Sequence, residues 1–259
     1  MNPEHISKVY QMAIQDIGRY YFVAYSILKD PSVYEQIAFS PDETTAVLMR
    51  KTGTLQIVTV GECVSPSSGV WLQGCIGLMA WTSVVALKMH LEFLTNSLEG
   101  SQFRQGSFIA KCAPSQWQSP SLKQSSRVLE VDDLECVEVL YKDVFKGYAP
   151  VHYMKEKLES GRGRGRGRGV IIKDKNSCVG VAQSDFETPE MALIVGVASA
   201  VSHRGQGYGK ACMVELGDAL VKEGKSLCLI YENPIAGHLY AQLGFEVYDR
   251  VYHLERKSI

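Results

Sequence analysis

The residues with the clearest chemical potential form a glycine-rich turn, Arg204-Gly205-Gln206-Gly207-Tyr208-Gly209. A β-branched run before the turn predicts a strand, and the run after it predicts a helix over about residues 207–222. The first backbone N–H groups of a helix have no acceptor within it, and the helix dipole adds positive potential there. Because glycine lets a ligand approach the backbone closely and Arg204 adds charge, the turn predicts a phosphate or diphosphate site.

Two better-known phosphate motifs do not fit this turn. The G-x-x-x-x-G-K-[ST] pattern of nucleoside triphosphatases is absent from it. Gly205, Gly207 and Lys210 fit the dinucleotide pattern G-x-G-x-x-G poorly, and no acidic residue ends a following strand. The anion that binds here is therefore expected to belong to another class of ligand.

A second pattern, N-P-x-A-x-x-L-Y-x-x-L-G-F at residues 233–245, follows the turn and predicts a further helix. Together with R-x-x-G-x-G at Arg204, Gly207 and Gly209, it resembles the GNAT superfamily of N-acetyltransferases. The resemblance covers about residues 127–259. The first half of the chain resembles longer members of that superfamily, which carry a degenerate N-terminal half.

The resemblance implies that acetyl-CoA is the acyl donor. In the family, the strand before the turn separates from its neighbour and pairs with the pantetheine arm, here at Val197 and Ser199. The amide of Val197 would also polarise the thioester carbonyl, and the amides of the turn would hold the diphosphate. The implied donor-binding residues are Val197, Ala198, Ser199, Arg204, Gly205, Gln206, Gly207, Tyr208, Gly209, Lys210 and Asn233.

Tyr240 matches the general acid of the family, because thioester aminolysis expels a thiolate and a phenol of pKa ~10 can donate to it. The attacking amine must lose a proton, usually to a carboxylate. Many family members place a Glu thirteen residues before the motif arginine, where this chain has Met191, so Glu190 is the candidate base and Glu187 a further candidate. The alternative for Tyr240 is simple packing, and for both glutamates it is a solvated loop position. His203 is interpreted as a loop residue.

The elements around these motifs predict the fold class and the domains. Strands in the middle and helices on both sides predict a mixed α/β sheet in layers. The resemblance implies an α/β (α+β) fold with a mainly antiparallel central sheet flanked by helices, preceded by a smaller α/β domain. The predicted domains are 1–112 and 127–259, and the Ser-, Pro- and Gln-rich segment 113–126 is the predicted linker.

Composition favours a globular chain of two domains. The 259 residues are 46% hydrophobic and 21% charged, and the net charge of −1 does not favour nucleic-acid or membrane partners. Seven dispersed cysteines and the absence of a signal peptide predict a reduced, cytoplasmic protein. The uncharged stretch 70–87 contains glycine and polar residues, and we interpret it as a buried strand and helix rather than a membrane span.

The leading hypothesis is an N-acetyltransferase that moves an acetyl group to a primary amine in a ternary complex, without a metal. A small-molecule or peptide amine is the expected acceptor, but no motif identifies it, and a homodimer is one of the open oligomeric states. A non-catalytic acyl-CoA sensor is the alternative. RNA binding through the Arg-Gly run at 161–169 is a third hypothesis, against the interpretation of that run as a flexible connection.

Overall fold

The computed structural model describes residues 2–95, 102–145, 151–160 and 167–256. The helices in it are α1 Pro3–Gln15, α2 Ile17–Lys29, α3 Pro66–Leu78, α4 Lys88–Thr95, α5 Leu134–Val144, α6 Val151–Ser160, α7 Tyr208–Lys222 and α8 Pro234–Gln242. The strands are β1 Tyr34–Phe39, β2 Thr45–Arg50, β3 Thr54–Thr59, β4 Ser83–Leu87, β5 Gln102–Cys112, β6 Arg127–Val128, β7 Gly169–Asp174, β8 Ser177–Asp185, β9 Met191–Ser199, β10 Ser226–Tyr231 and β11 Glu246–Glu255.

The order of elements along the chain repeats once. Two helices, three strands, a helix, a strand, a helix and a strand run from α1 to β5. The same order runs from α5 to β11, with the short strand β6 placed before it. The first half is therefore built from the same elements as the second, although only the second carries the glycine-rich turn.

By their contacts, the residues form two compact units. One unit contains residues 1–109 and 247–259, and the other contains residues 110–246. These units differ from the predicted domains, because the last strand belongs with the first half and because residues 110–126, which include the predicted linker 113–126, lie within the second unit. The reason for the first difference is that β11 pairs antiparallel with β4.

In the first unit, strands follow the order β1-β2-β3-β4-β11. Strands β2 and β3 form a hairpin, since they pair antiparallel, while β3 pairs in parallel with β4. The chain opens with two successive helices rather than one, because the Asp16 side chain accepts a hydrogen bond from the Arg19 N–H at 3.1 Å and so caps a new helix. Strand β1 was not predicted from the sequence.

In the second unit, strands follow the order β10-β9-β8-β7-β6. The pairs from β6 to β9 are antiparallel, and β9 and β10 are parallel. Helix α7 packs on these strands through buried side chains that include Met213, Leu216 and Leu220. The predicted mixed, mainly antiparallel sheet flanked by helices is thus confirmed.

The uncharged stretch 70–87 forms most of α3, a loop and β4. Leu72 and Ile76 on α3 and Val84 on β4 lie in one buried cluster of the first unit. Among the described residues, every helix is too short or too polar to cross a bilayer.

Residues 113–126, hereafter the strap, lie along helix α7. The Trp117 indole N–H and the Ser119 hydroxyl each donate to the Asp218 carboxylate of α7, both at 2.7 Å. The Trp117 ring also covers Gly217, where an added Cβ would lie 2.2 Å from the ring. Near the end of the strap, the Gln124 side-chain amide donates to the Gln206 carbonyl of the glycine-rich turn.

Candidate functional site

The parallel strands β9 and β10 separate halfway along β9. Their pairing extends only from Met191 with Ser226 to Ile194 with Leu229, whereas β9 continues to Ser199. Such a separation leaves the backbone groups of the second half of β9 open to a ligand that adds as a strand.

The other edge of β9 shows which amides face this opening. The Ala200 N–H donates to the Val179 carbonyl at 3.0 Å, and Ala198 pairs with Val181 in β8. Because amides alternate in direction along a strand, those of Val197 and Ser199 face away from β8. The predicted pantetheine positions therefore face the opening, whereas Ala198 is paired to β8 and its side chain is 5% exposed.

A β-bulge interrupts β9 at the start of this open segment. The register with β8 shifts between Val181 and Gln183, and Gly196 has a left-handed φ of 61°. The Gly196 carbonyl accepts a hydrogen bond of 2.7 Å from the Tyr141 hydroxyl of α5. A bulge adds one residue to a strand and re-aims the groups beside it, which here are those of Val197.

The glycine-rich turn has the backbone conformation that its glycines allow. Gly205 and Gly207 have left-handed φ values of 77° and 85°, and Gly207 is the N-cap of α7. Residues with a Cβ adopt this conformation at a cost of roughly 1–2 kcal/mol. The Arg204 side chain beside the turn is exposed.

The first amides of α7 differ in whether they have an acceptor. The Gly209 N–H donates to the Ser199 hydroxyl at 2.8 Å, and the Ala211 N–H donates to the Gly207 carbonyl at 2.9 Å. Within the described part of the chain, no acceptor meets the amides of Gln206, Gly207, Tyr208 and Lys210. The predicted cradle is therefore open at four amides, while the fifth, at Gly209, fixes the turn to the end of β9.

Asn233 is the N-cap of helix α8, and its side chain accepts a hydrogen bond from the Ile235 N–H at 3.0 Å. Tyr240, six residues into that helix, is 8% exposed. Its ring packs edge-on against Tyr231 and Phe245, with centroid distances of 5.4 and 5.9 Å. Burial, with a smaller effect from Tyr231, raises the pKa of Tyr240 to about 12.

A sequence profile described as "Acetyltransferase (GNAT) family" matches residues 134–245. That stretch includes the separated strands, the glycine-rich turn and Tyr240. Residues 134–245 form a GNAT acetyltransferase domain. The family is one of acyltransferases, and its members generally use acetyl-CoA as a substrate.

Solved GNAT structures share the fold of both halves of the chain. An acetyltransferase from the GNAT family of Colwellia psychrerythraea has a TM-score of 0.71 at 15% identity, covering 99% of this chain and 98% of that one. A GCN5-related N-acetyltransferase from Sphaerobacter thermophilus has a TM-score of 0.63 at 16% identity and covers 100% and 95%. A tandem GNAT protein from the clavulanic acid biosynthesis pathway has a TM-score of 0.62 at 13% identity and covers 100% and 97%. No curated protein matches this chain significantly.

The GNAT domain places the candidate base Glu190 far from the open half of β9. Glu190 precedes β9, and its carbonyl accepts a hydrogen bond from the Ser226 N–H at the start of β10. Seven residues of strand separate it from Val197, which is roughly 23 Å at ~3.3 Å per residue. Its exposed carboxylate accepts a hydrogen bond from the Thr188 hydroxyl at 3.0 Å. The structure therefore does not bring Glu190 together with the other predicted site residues.

Glu187, the further candidate, is held in a network of ion pairs. Its carboxylate is 2.7 Å from Arg168 and 2.9 Å from Lys225, and it accepts a hydrogen bond from Ser184 at 2.5 Å. Burial opposes ionisation of Glu187, but the hydrogen bonds from Arg168, Ser184 and Lys225 outweigh it and lower its pKa. A carboxylate bound in this way is a weak proton acceptor, so Glu187 has a structural role.

The remaining predictions near the site concern charged and sulfur-containing side chains. His203 ends a short 3-10 helix, Val201–His203, and its ring shares a hydrogen bond of 2.9 Å with Ser202 and lies 3.8 Å from Asp174. Cys212 and Cys228 are buried, and burial raises the pKa of Cys212, which fits packing rather than nucleophilic attack.

No set of three His, Cys, Asp or Glu side chains suited to a metal ion occurs among residues 2–95, 102–145, 151–160 and 167–256. Most of the Arg-Gly run, 161–166, lies outside the described residues.

Sequence reasoning missed three side chains that contact the site. Tyr141 and Gln183 meet at the bulge, and Gln124 contacts the turn. The glycine at position 196, inside an otherwise β-branched strand, was a signal for the bulge. No comparable signal identifies the long-range partners Tyr141 and Gln124.

Proposed function

We propose that the chain transfers an acetyl group from acetyl-CoA to a primary amine by direct attack in a ternary complex. The observation that carries this proposal is the open half of β9, which leads into the turn, where four amides have no acceptor among the described residues. A diphosphate joined to an extended arm with amide groups matches such a site, because the arm can pair with a strand edge while the diphosphate binds the helix terminus.

In this proposal, the diphosphate of acetyl-CoA accepts hydrogen bonds from the amides of Gln206, Gly207, Tyr208 and Lys210. Arg204 supplies positive charge beside it. The pantetheine arm lies along Val197 and Ser199, and the exposed Asn233 at the start of α8 contacts that arm. The Ser199 hydroxyl keeps its hydrogen bond to Gly209 and so holds strand and turn in a fixed relation.

The chemical step needs two contacts from the domain. The amine nitrogen attacks the thioester carbon while the Val197 N–H donates to the carbonyl oxygen, on which negative charge develops. The C–S bond then breaks, and Tyr240 donates a hydrogen bond to the leaving thiolate. The amine attacks in its neutral form and passes its proton to water, since neither Glu190 nor Glu187 is placed to accept it.

The acceptor is an amine of a small molecule or a peptide. A panel of such amines, offered with acetyl-CoA in a thiol-release assay, tests the reaction. Thiol release that depends on one class of amine, with the acetylated amine found by mass spectrometry, is the expected result. Tight binding of acetyl-CoA without thiol release from any amine would instead make the chain an acyl-CoA-binding module.

Gly207→Val tests the diphosphate site. We expect acetyl-CoA affinity measured by calorimetry to fall at least roughly 30-fold, because a β-branched residue disfavours the left-handed N-cap that aims the amides. Gly224→Val is the matched control, since Gly224 has a φ of 83° near the other end of α7 and an added Cβ there would have no described atom within 4 Å. Gly224→Val should retain the acetyl-CoA affinity of the wild type. Equal losses of affinity in Gly224→Val and Gly207→Val would contradict the assignment of the diphosphate site.

A further inference from the structure

A buried chain of hydrogen bonds ends at the bulge of β9. The Tyr141 hydroxyl donates to the Gly196 carbonyl at 2.7 Å, and the Gln183 side-chain amide donates to the Tyr141 oxygen at 2.8 Å. Tyr141 is 5% exposed and Gln183 is 1% exposed. The bond from Gln183 to Tyr141 is buried and the bond from Tyr141 to Gly196 is partly buried, which makes both more costly to break than exposed ones.

The chemistry of each group sets the direction of this chain. A phenol has one proton, and Tyr141 gives it to Gly196 because a carbonyl can only accept. The Tyr141 oxygen must then accept from Gln183, whose amide nitrogen also lies 3.4 Å from the Met154 sulfur. The Gln183 carbonyl oxygen, by contrast, has no hydrogen-bond partner among the described residues. A buried polar atom without a partner costs stability, so the arrangement is not the one that stability alone would favour.

The fit between Tyr141 and the bulge is tight. A Cβ added at Gly196 would lie 2.1 Å from the Tyr141 oxygen, so only glycine lets the hydroxyl reach this carbonyl. The left-handed φ at Gly196 is likewise suited to glycine. The Tyr141 side chain and the Gly196 backbone thus fit each other, and Gly196 directly precedes Val197.

We propose that Tyr141 is a positioning residue that holds the bulge so that the Val197 N–H meets the thioester carbonyl, and that Gln183 orients Tyr141. This inference rests on the proposed acyl transfer. Tyr141 does not touch the reacting atoms, and it acts through the carbonyl of Gly196. Loss of its hydroxyl should therefore affect the reaction more than the binding of the donor.

Tyr141→Phe removes the hydroxyl and keeps the ring. Complete loss of an N–H that donates to the developing oxyanion lowers kcat by about 10²- to 10³-fold. Because the Val197 N–H would here be displaced and not lost, we expect kcat to fall on the order of 10-fold. The dissociation constant of acetyl-CoA should stay within about twofold, since the turn and strap are untouched. Gln183→Leu should lower kcat in the wild type but add little in the Tyr141→Phe background, because the two residues act in one chain.

Tyr20→Phe is the matched control. Tyr20 is a buried tyrosine of the first unit. Its hydroxyl donates to the Thr59 carbonyl at 2.9 Å and accepts from the Thr59 N–H at 3.0 Å. This variant should lose stability and keep kcat. Unchanged kcat in Tyr141→Phe, or a similar fall in Tyr20→Phe, would overturn the positioning role.

A second readout separates this inference from the proposed function. The Val197 amide proton, followed by NMR in valine-labelled protein, should shift when acetyl-CoA is added to the wild type and shift by less than half as much in Tyr141→Phe. If those shifts occur but no amine is acetylated, the acyl-transfer proposal fails while the positioning role stands. Equal shifts in wild type and variant would overturn the positioning role whether or not the chain is active.

Discussion

At the scale of single residues, the environment of Tyr240 limits how it can act. Full proton transfer from a phenol with a pKa of about 12 to a thiolate of ordinary pKa, ~8.5, is uphill by roughly 3.5 units, or about 5 kcal/mol. A hydrogen bond to the developing thiolate avoids that cost. Burial thus keeps Tyr240 protonated and ready to donate, which suits stabilisation of the leaving group better than complete transfer.

For Tyr240→Phe we expect kcat to fall by roughly 10- to 1000-fold with little change in the affinity for acetyl-CoA. Tyr231→Phe is the comparison, since it keeps the ring that packs against Tyr240, and its kcat should stay within about threefold of the wild type. Steady-state kinetics and calorimetry measure both quantities. If Tyr240→Phe were as active as Tyr231→Phe, Tyr240 would have a packing role only.

The pH dependence of kcat offers a second test at this scale. Because burial raises the pKa of Tyr240, ionisation of this phenol should cause no fall in kcat between about pH 9 and 10.5. An ordinary exposed tyrosine would begin to lose its proton in that range. A fall in kcat near pH 10 that occurs in the wild type and not in Tyr240→Phe would contradict the buried environment of Tyr240.

At the scale of elements, α7 connects the glycine-rich turn that precedes it with the strap that lies along it. Its N-terminus and the turn before it supply the open amides, and the strap contacts the helix through Asp218 and the turn through the hydrogen bond from Gln124 to Gln206. A segment rich in Ser, Pro and Gln was expected to connect domains, but polar side chains of this kind also satisfy backbone and carboxylate groups. The tertiary position of the strap is what gives those side chains their partners.

Asp218→Ala tests the strap. The change leaves the half-buried Trp117 indole N–H without its acceptor, so we expect a loss of about 1–3 kcal/mol in the free energy of unfolding by urea. Asp218→Asn is the control, because an amide oxygen still accepts from the indole and the Ser119 hydroxyl can reverse its hydrogen bond. If the asparagine variant lost as much stability as the alanine variant, charge rather than hydrogen bonding would hold the strap.

At the scale of the whole molecule, the first unit carries its own pH sensitivity. His90 is fully buried, accepts a hydrogen bond from the Leu87 N–H at 3.1 Å and lies 3.1 Å from the Thr59 hydroxyl. Burial, with a smaller effect from Arg19, lowers the pKa of His90 to about 3. The unfolded chain therefore binds a proton at a higher pH than the folded chain does.

The pKa of His90 is lower in the folded chain, so protonation at low pH favours the unfolded chain. The stability associated with neutral His90 is fully present above the unfolded pKa of ~6.5 and is lost as pH falls towards 3, by about 2 kcal/mol at pH 5. His90→Asn should flatten the dependence of unfolding free energy on pH between about 7 and 5. Equal slopes in His90→Asn and in the wild type would contradict the prediction.

Local sequence patterns were sufficient to predict the elements around the turn. The strand up to Ser199, the helix after Gly207 and the helix with Tyr240 lie where their patterns placed them, because local hydrophobic periodicity and glycine conformations decide such elements. The same patterns, together with the motif, predicted the GNAT fold.

Which side chains meet depends on how the whole chain folds. Tyr141 and Gly196 are 55 positions apart in the chain and Gln124 and Gln206 are 82 apart, and no local pattern encodes such pairs. Glu190 was placed by counting along the sequence, but the direction of β9 carries it to the far end of the strand. The last strand likewise joins the first unit, because strand pairing is a long-range contact whose partner is chosen only when the whole chain folds.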